Sequence, residues 1–284
     1  MTPNSTSAAI RAGLVRGRIE FRQAMTNADD LLGLALPTAI FLVVMIFLRD
    51  AKVPGTELSI GTMSMAGVLG AGVVFNGLFG IAQILTIERE DGTLLRAKAV
   101  PDGMLGYLIG KIVSISGQTL VGLILTLVPS LFLFDGMETG PGTWLTLAWV
   151  LALGLIASLP LGAIIGSLFS NPRNMGVIMM PIMGITATSG IFYPLSHFPE
   201  WLQWVGQVFP IYWMGLGMRS ALLPDSLAAV EIGESWRHLE TLGVLGLWAA
   251  AGLIIAPIVL RRMARRESGS SVAARREKAM QRIG

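Results

Sequence analysis

The sequence predicts an all-α integral membrane protein with six transmembrane helices in one domain. Of its 284 residues, 53% are hydrophobic and only 14% are charged, and the mean hydropathy is +0.66. These values lie outside the usual range of soluble globular domains. Uncharged apolar runs of about 20 residues, the length that crosses a bilayer as a helix, recur along the chain.

A polar lead, residues 1–30, precedes the first apolar run. Ile10, Leu14, Phe21 and Met25 recur in it at helical spacing, with arginines beside them. This pattern indicates an amphipathic helix that lies in the membrane interface. Packing of the same helix on a cytoplasmic loop is an equally weighted alternative, and the two are compatible.

Six apolar segments follow the lead and define a membrane core over residues 31–260. They are residues 31–48, 60–87, 112–134, 144–169, 175–191 and 239–260. The fifth is the least distinct of the six. A basic tail, residues 261–284, follows the last segment, where it is expected to anchor that helix at anionic lipid headgroups.

The distribution of basic residues predicts the orientation. An even number of spans places both termini on one side of the membrane. Only four of the 21 Lys and Arg residues, at positions 49, 52, 219 and 237, fall on the opposite side. Because loops rich in Lys and Arg stay in the cytoplasm, both termini are predicted to be cytoplasmic.

A charged segment lies between the second and third spans, on the predicted cytoplasmic side. Its candidate functional residues are Glu88, Arg89, Glu90, Gly92, Thr93, Leu94, Leu95, Arg96, Lys98 and Pro101. Acids come first, bases come last and a proline ends the segment, which suits the dipole and the termination of a short helix. The sequence therefore predicts one short helix across the inner membrane surface.

The external loop before the sixth span is rich in aromatic residues and prolines. The residues of interest are Phe192, Tyr193, Pro194, Pro199 and Trp201. Prolines break helices, and irregular backbone at membrane depth needs protein or water around it. A gate at the outer end and interfacial anchoring by aromatic rings are both compatible with this composition.

These two segments resemble elements of the membrane subunits of type-2 ABC exporters, which include drug, antibiotic and lipid efflux permeases. The first similarity is Glu88-Arg89-Glu90-Asp91-Gly92-Thr93-Leu94, followed by Pro101 and by Lys111 at the start of the third span. The second covers residues 189–195, 198–202, 209–212 and Arg219. Arg96-Ala97-Lys98 departs from the more apolar or acidic pattern of many relatives.

The resemblance implies a role for each segment. The charged segment would be a coupling helix, seated in a cleft of a separate ATP-binding subunit of which two copies are expected. Leu94 and Leu95 can fill such an apolar cleft, while the neighbouring charges set the register. The external loop would be a re-entrant hairpin, and two permeases, as a homodimer or a mixed pair, would enclose a path for hydrophobic or amphiphilic compounds. Such exporters lie in the cytoplasmic membrane, and a bacterial one is expected.

Other chemistry is not expected from this chain. It contains no Gly-x-x-x-x-Gly-Lys-Ser/Thr motif, so ATP and Mg²⁺ are expected on the partner subunit and no cofactor on this one. It has no Cys, and its two histidines, His197 and His238, have no further metal ligand at a recognisable spacing. We therefore expect a transport subunit rather than an enzyme, with no nucleic-acid partner.

Several residues inside the spans are candidates for a substrate path. They are Asn76, Phe79, Gln83, Gln118, Met179 and Met183. Asn76 and Gln83 are seven residues apart and so share one helix face. Hydrogen bonding between helices is an open alternative for the amides, and core packing or dimer contact is the favoured alternative for the methionines.

The alternative function is a carrier or channel that is not coupled to ATP. Six spans suit either class. Apart from Glu240, at the outer edge of the sixth segment, no Asp, Glu, Lys, Arg or His lies inside an assigned span, and proton-driven pumps normally keep an intramembrane carboxylate. The sequence therefore favours the exporter.

Overall fold

The computed structural model describes residues 3–52, 59–100, 102–168 and 175–266. In these residues the chain forms α-helices joined by short turns, and the all-α prediction is confirmed. The helices are α1 (Pro3–Ala24), α2 (Ala28–Phe47), α3 (Ile60–Phe75), α4 (Ile81–Glu90), α5 (Thr93–Lys98), α6 (Gly103–Leu133), α7 (Pro141–Leu168), α8 (Met175–Ala187), α9 (Glu200–Val208), α10 (Pro210–Leu222) and α11 (His238–Arg266). We call the end of the bundle at α5 the inner end and the end at α9 the outer end, after the predicted orientation.

Five helical segments of the described chain are long and apolar enough to cross a membrane. They are α2, the continuous segment Ile60–Arg89, α6, α7 and α11. The segment Ile60–Arg89 joins α3 to α4 through a π-helical turn, Asn76–Gly80. The fifth predicted span corresponds to α8, whose 13 residues give a length of about 20 Å, short of a ~30 Å hydrocarbon core. A six-span arrangement therefore remains a prediction.

The helix α10 occupies the centre of the outer half of the bundle. It is buried along nearly its whole length and packs on α3, α7 and α11. A side chain at Gly70 of α3 would overlap the backbone of Met214, and one at Gly154 of α7 would overlap the Met214 side chain. Small residues let helices approach this closely. The helix α10 thus enters the bundle from the outer end, whereas α9 has only Gly206 buried and stays at the surface. The re-entrant hairpin remains a prediction.

The lead helix α1 packs along the inner half of α6. Glycines on both helices make the contact, since a side chain at Gly13 or Gly17 would overlap the carbonyl of Gly106 or Gly110. Of the predicted stripe, Ile10 and Leu14 are 41% and 50% exposed, whereas Phe21 is half-buried and its ring lies against Gly117 of α6. The lead helix therefore packs on α6, and its position in the membrane interface remains a prediction.

Candidate functional site

The charged segment is divided by a left-handed turn. The helix α4 ends at Glu90, and Gly92 has φ = 80°, a conformation that costs L-residues about 1–2 kcal/mol. The Asp91 side chain then accepts a hydrogen bond of 2.7 Å from the Thr93 N–H, which caps the start of α5. The prediction of one helix over this segment is therefore wrong: Glu88 and Arg89 end the membrane helix, and only Thr93–Lys98 form the surface helix. Pro101 and the side chain of Glu90 lie outside the described residues.

The surface helix α5 has a buried face and an exposed face. Leu94 is only 1% exposed and belongs to the main hydrophobic core. We expected it to enter a partner's cleft, but its side chain packs within this chain. Arg96 and Lys98 are exposed and Leu95 is partly so. Beyond the helix, Val100 is 60% exposed, a surface position that the charge pattern did not indicate.

Four charged side chains meet where α1, α4 and α6 converge at the inner end. We call Arg16, Glu20, Glu88 and Lys111 the inner charge cluster. The Lys111 amine lies 2.7 Å from Glu88 Oε1 and 2.8 Å from Glu20 Oε2. Arg16 lies 2.7 Å from Glu20 Oε1 and 3.9 Å from Glu88 Oε1. The cluster contains two positive and two negative groups, so its charges balance.

Burial strengthens these ion pairs. The Lys111 side chain is 7% exposed and that of Glu88 is 15% exposed, so water screens them little. Burial opposes the ionisation of Glu20, yet hydrogen bonds from Lys111 and Arg16 outweigh it and lower the pKa of Glu20 below its usual value. Lys111 and Arg16 also lie 5.6 Å and 5.0 Å from the ring centre of Tyr107, within reach of a cation–π interaction.

A further contact extends this assembly to α7. Arg89 donates a 3.2 Å hydrogen bond to the carbonyl of Ser167, near the inner end of that helix. Arg89 and Glu88 are neighbours at the end of α4, so this one turn of helix is held by α1, α6 and α7 together. Sequence reasoning identified Glu88, Arg89 and Lys111 but missed Arg16 and Glu20 as their partners. The four-residue spacing of Arg16 and Glu20, typical of a helical ion pair, was the available signal.

A membrane crevice opens between α2, α3, α4, α6 and α8. It encloses about 610 Å³, and Asn76, Phe79 and Gln83 line it, as the proposed path requires. Neither amide bonds to another helix in the described residues: the Asn76 side chain donates to the Gly72 carbonyl of its own helix, 2.9 Å away. Three residues of the π-helical turn, Asn76, Phe79 and Gly80, line the crevice. Such turns are frequent at functional sites.

The other path candidates lie elsewhere. Gln118 donates to the Ser114 hydroxyl on its own helix, 3.1 Å away, and does not line the membrane crevice, although its neighbour Thr119 does. Met183 is 62% exposed on α8 and is also not among the lining residues. The side chain of Met179 lies outside the described residues. The crevice is also lined by three threonines that the sequence analysis did not propose for the path, namely Thr38, Thr126 and Thr186.

The outer end of the crevice is closed by the chain that follows α8. Phe192 lines both the membrane crevice and a separate outer cavity of about 310 Å³, so this residue separates the two. Its carbonyl accepts a 3.0 Å hydrogen bond from Ser64 of α3. Tyr193 and Pro194 line the outer cavity, whereas Pro199 caps the start of α9 and Trp201 is 66% exposed on that helix.

A buried ion pair secures this outer region. Arg219 of α10 contacts both carboxylate oxygens of Glu231, at 2.6 Å and 3.2 Å, and both side chains are 0% exposed. Arg219 also donates to the carbonyl of Gly190, 3.0 Å away, in the turn after α8. The sequence placed Arg219 between the fifth and sixth spans and gave no indication that its charge is buried on a helix. Its partner, twelve residues away, gives no local pattern that would reveal the pair.

Comparison with known proteins bears on this architecture. Residues 31–258 match the family model described as ABC-2 family transporter protein. A search of curated proteins returned no match. The matched region contains the membrane helices, α5, the membrane crevice and the helices α9 and α10. The chain therefore belongs to the ABC-2 transporter family, and it is a multi-pass membrane subunit of an ABC transporter.

Proposed function

We propose that this chain is the membrane subunit of an ATP-driven exporter that moves hydrophobic or amphiphilic compounds out across the cytoplasmic membrane. A separate subunit, present in two copies, binds and hydrolyses the ATP. The observation that carries the proposal is the junction of α5 with the inner charge cluster. A surface helix suited to docking is joined, by one left-handed turn at Gly92, to a membrane helix whose end is held by three others.

The docking surface is basic with an apolar contact point. Arg96 and Lys98 project from α5, and Val100 presents an exposed apolar side chain just beyond it. A partner cleft with an acidic rim and an apolar floor fits this chemistry, because opposite charges steer association and suppress wrong partners.

The ion pairs offer a route for mechanical coupling. A tilt of α5 acts on α4 through the turn at Gly92, and the inner charge cluster makes α1 and α6 follow α4. The same membrane segment continues through the π-helical turn at Asn76, which lines the membrane crevice. Closure of the ATP-binding subunits thus favours one of two helix arrangements, and the crevice changes shape with it.

The membrane crevice suits an amphiphilic substrate. Its walls are mainly apolar, with the amides of Asn76 and Gln83 as hydrogen-bonding groups. The flanking helices α2 and α8 expose large apolar side chains, Met180 at 79% among them. A second subunit that covers α2 and α8 would turn the open crevice into an enclosed path, with Phe192 at its outer end.

The test is transport of fluorescent amphiphilic dyes into inverted membrane vesicles that contain this chain and its ATPase. We expect uptake that requires ATP and persists when an uncoupler removes the proton gradient at constant ATP. Phe79→Ala should change the apparent KM for the dye, whereas Phe132→Ala, at an 86% exposed position on α6, should not. Uptake that stops on uncoupling at constant ATP would favour a secondary carrier instead.

A further inference from the structure

A second cleft lies at the inner end of the bundle, on the side of α6 opposite to its contacts with the lead helix α1. It encloses about 110 Å³ between α4, α6, α7 and α11, and Leu85, Leu108, Pro160, Leu253 and Pro257 are among its lining residues. We call it the α11 cleft. The cleft is lined by apolar side chains, by Tyr107 and by the aliphatic stem of Lys111. The Lys111 amine is bound by Glu20 and Glu88.

The α11 cleft is accessible from the lipid. Two of its lining side chains, Leu253 and Ile112, are 55% and 42% exposed on the surface of the bundle, and both lie in helices long and apolar enough to cross a membrane. Its position, near the ends of α4 and α11 and the start of α6, places it at the depth of the inner leaflet's acyl chains. An apolar recess that opens into hydrocarbon accepts a hydrocarbon segment, because dispersion contacts with its walls replace empty space.

Basic side chains continue the same face of α11 beyond the cleft. Pro257, a lining residue of the cleft, Arg261 and Arg265 follow one another at four-residue intervals, and each interval turns about 40° round the axis, so the three lie within a sector of about 80°. Each interval advances about 6 Å along the axis, which carries the two arginines from acyl-chain depth to the headgroup region. Both are exposed, and neither takes part in an ion pair within residues 3–52, 59–100, 102–168 and 175–266.

We infer that the α11 cleft and Arg261 with Arg265 form a binding site for one anionic phospholipid of the inner leaflet. A segment of one acyl chain enters the cleft, and the phosphate accepts hydrogen bonds from the two guanidinium groups. Arginine suits this task because its planar fork matches phosphate oxygens and is weakly hydrated. The site lies on a different face from the membrane crevice and does not depend on which compound is exported.

The experiment is native mass spectrometry of the purified full chain released from nanodiscs of equal phosphatidylglycerol and phosphatidylcholine. We expect preferential retention of phosphatidylglycerol. Arg261→Gln combined with Arg265→Gln should weaken that preference about 30-fold, as expected for the loss of hydrogen bonds from two guanidinium groups to one phosphate. The matched control is Arg262→Gln with Arg22→Gln, which removes the same charge from exposed positions that do not continue the cleft face, and it should retain the preference.

A second variant tests the acyl-chain part of the site. Ala256→Leu adds volume at a lining residue that is 5% exposed, and it should reduce retention of both lipids while the chain stays monodisperse in detergent. Equal retention of phosphatidylglycerol in the arginine variant and its control would overturn the proposal. Equal retention of the two lipids by the unmodified chain would also overturn it.

Discussion

Removal of the Lys111 amine tests whether the inner charge cluster holds α1 against the membrane helices. Lys111→Met keeps the length and the apolar stem but deletes contacts of 2.7 Å and 2.8 Å to Glu88 and Glu20. Hydrogen bonds to charged groups contribute about 1.5–3 kcal/mol each. Arg16 stays within 2.7 Å of Glu20 and 3.9 Å of Glu88 and recovers part of the loss. We therefore expect the free energy of α1 detachment to fall by about 3 kcal/mol.

The assay is hydrogen–deuterium exchange of the α1 backbone amides in nanodiscs, with α11 in the same sample as the internal reference. A loss of about 3 kcal/mol corresponds to exchange about 150-fold faster in α1. Arg18→Gln is the matched control, since it removes one charge from an exposed position on the same helix and should change exchange by about twofold or less.

A double variant separates lost charge from lost packing. Lys111→Met with Glu88→Met removes one charge of each sign and leaves the Arg16–Glu20 pair intact. Because an apolar replacement of a buried ion pair is often close to neutral, protection of α1 should return to within about 1 kcal/mol of the unmodified chain. Exchange of α1 in Lys111→Met that matches Arg18→Gln would refute the reasoning.

Three further predictions follow from the same structure. Arg219→Met leaves the Glu231 carboxylate buried without its partner, so thermal unfolding in detergent should show a loss of about 3–5 kcal/mol, whereas Arg219→Met with Glu231→Leu should lose less. Gly92→Val places a β-branched residue at φ = 80°; ATPase activity and dye transport should become uncoupled, while Gly243→Val, at an open position of α11, should transport normally. The lowered pKa of Glu20 means that its stabilising charge is present above its unfolded pKa and is lost only as pH falls through the lower folded value; protection of α1 should therefore be constant from pH 8 to pH 5 and decline below pH 4.5.

Sequence patterns predicted the elements whose signals are local. The apolar runs gave the membrane helices because a span needs about 20 consecutive apolar residues. Pro194 and Pro199 marked the break before α9. The turn at Gly92, by contrast, was predicted as part of one helix, because a glycine is compatible with a helix as well as with φ = 80°.

The lead helix shows why the packed face was missed. Helical periodicity selected Ile10, Leu14, Phe21 and Met25 as the face for the membrane interface. Ile10 and Leu14 are exposed, but Phe21 lies against Gly117 of α6, and Gly13 and Gly17 make close contacts that periodicity does not mark. At a membrane, lipid is as apolar as leucine, so large apolar residues gain nothing from burial and small residues gain close packing. Hydrophobic periodicity therefore does not identify the small residues that make the closest helix contacts.

The pairs Lys111–Glu20 and Arg219–Glu231 could not be predicted because their members are not neighbours in the sequence or on one helix turn. Lys111 reaches Glu20, ninety-one positions away, and only the crossing of α1 over α6 brings them together. Arg219 and Glu231 meet only because α10 enters the bundle and the following loop folds back over it. Charge counting predicts the side of the membrane for such residues, but it does not show whether they are solvated or paired.

The most direct test of the central claim is site-specific crosslinking of α5 to an ATP-binding subunit in native membranes. The chain has no Cys, so Arg96→Cys or Lys98→Cys introduces its single thiol, and Thr139→Cys at an exposed position near the start of α7 is the control from the opposite end of the bundle. We predict that a thiol–amine crosslinker joins positions 96 and 98, but not 139, to a protein with a P-loop motif, and that the same protein is recovered in about equal amount on purification. The absence of any P-loop protein from the adducts at 96 and 98, with transport intact, would contradict the assignment of α5 as the coupling helix.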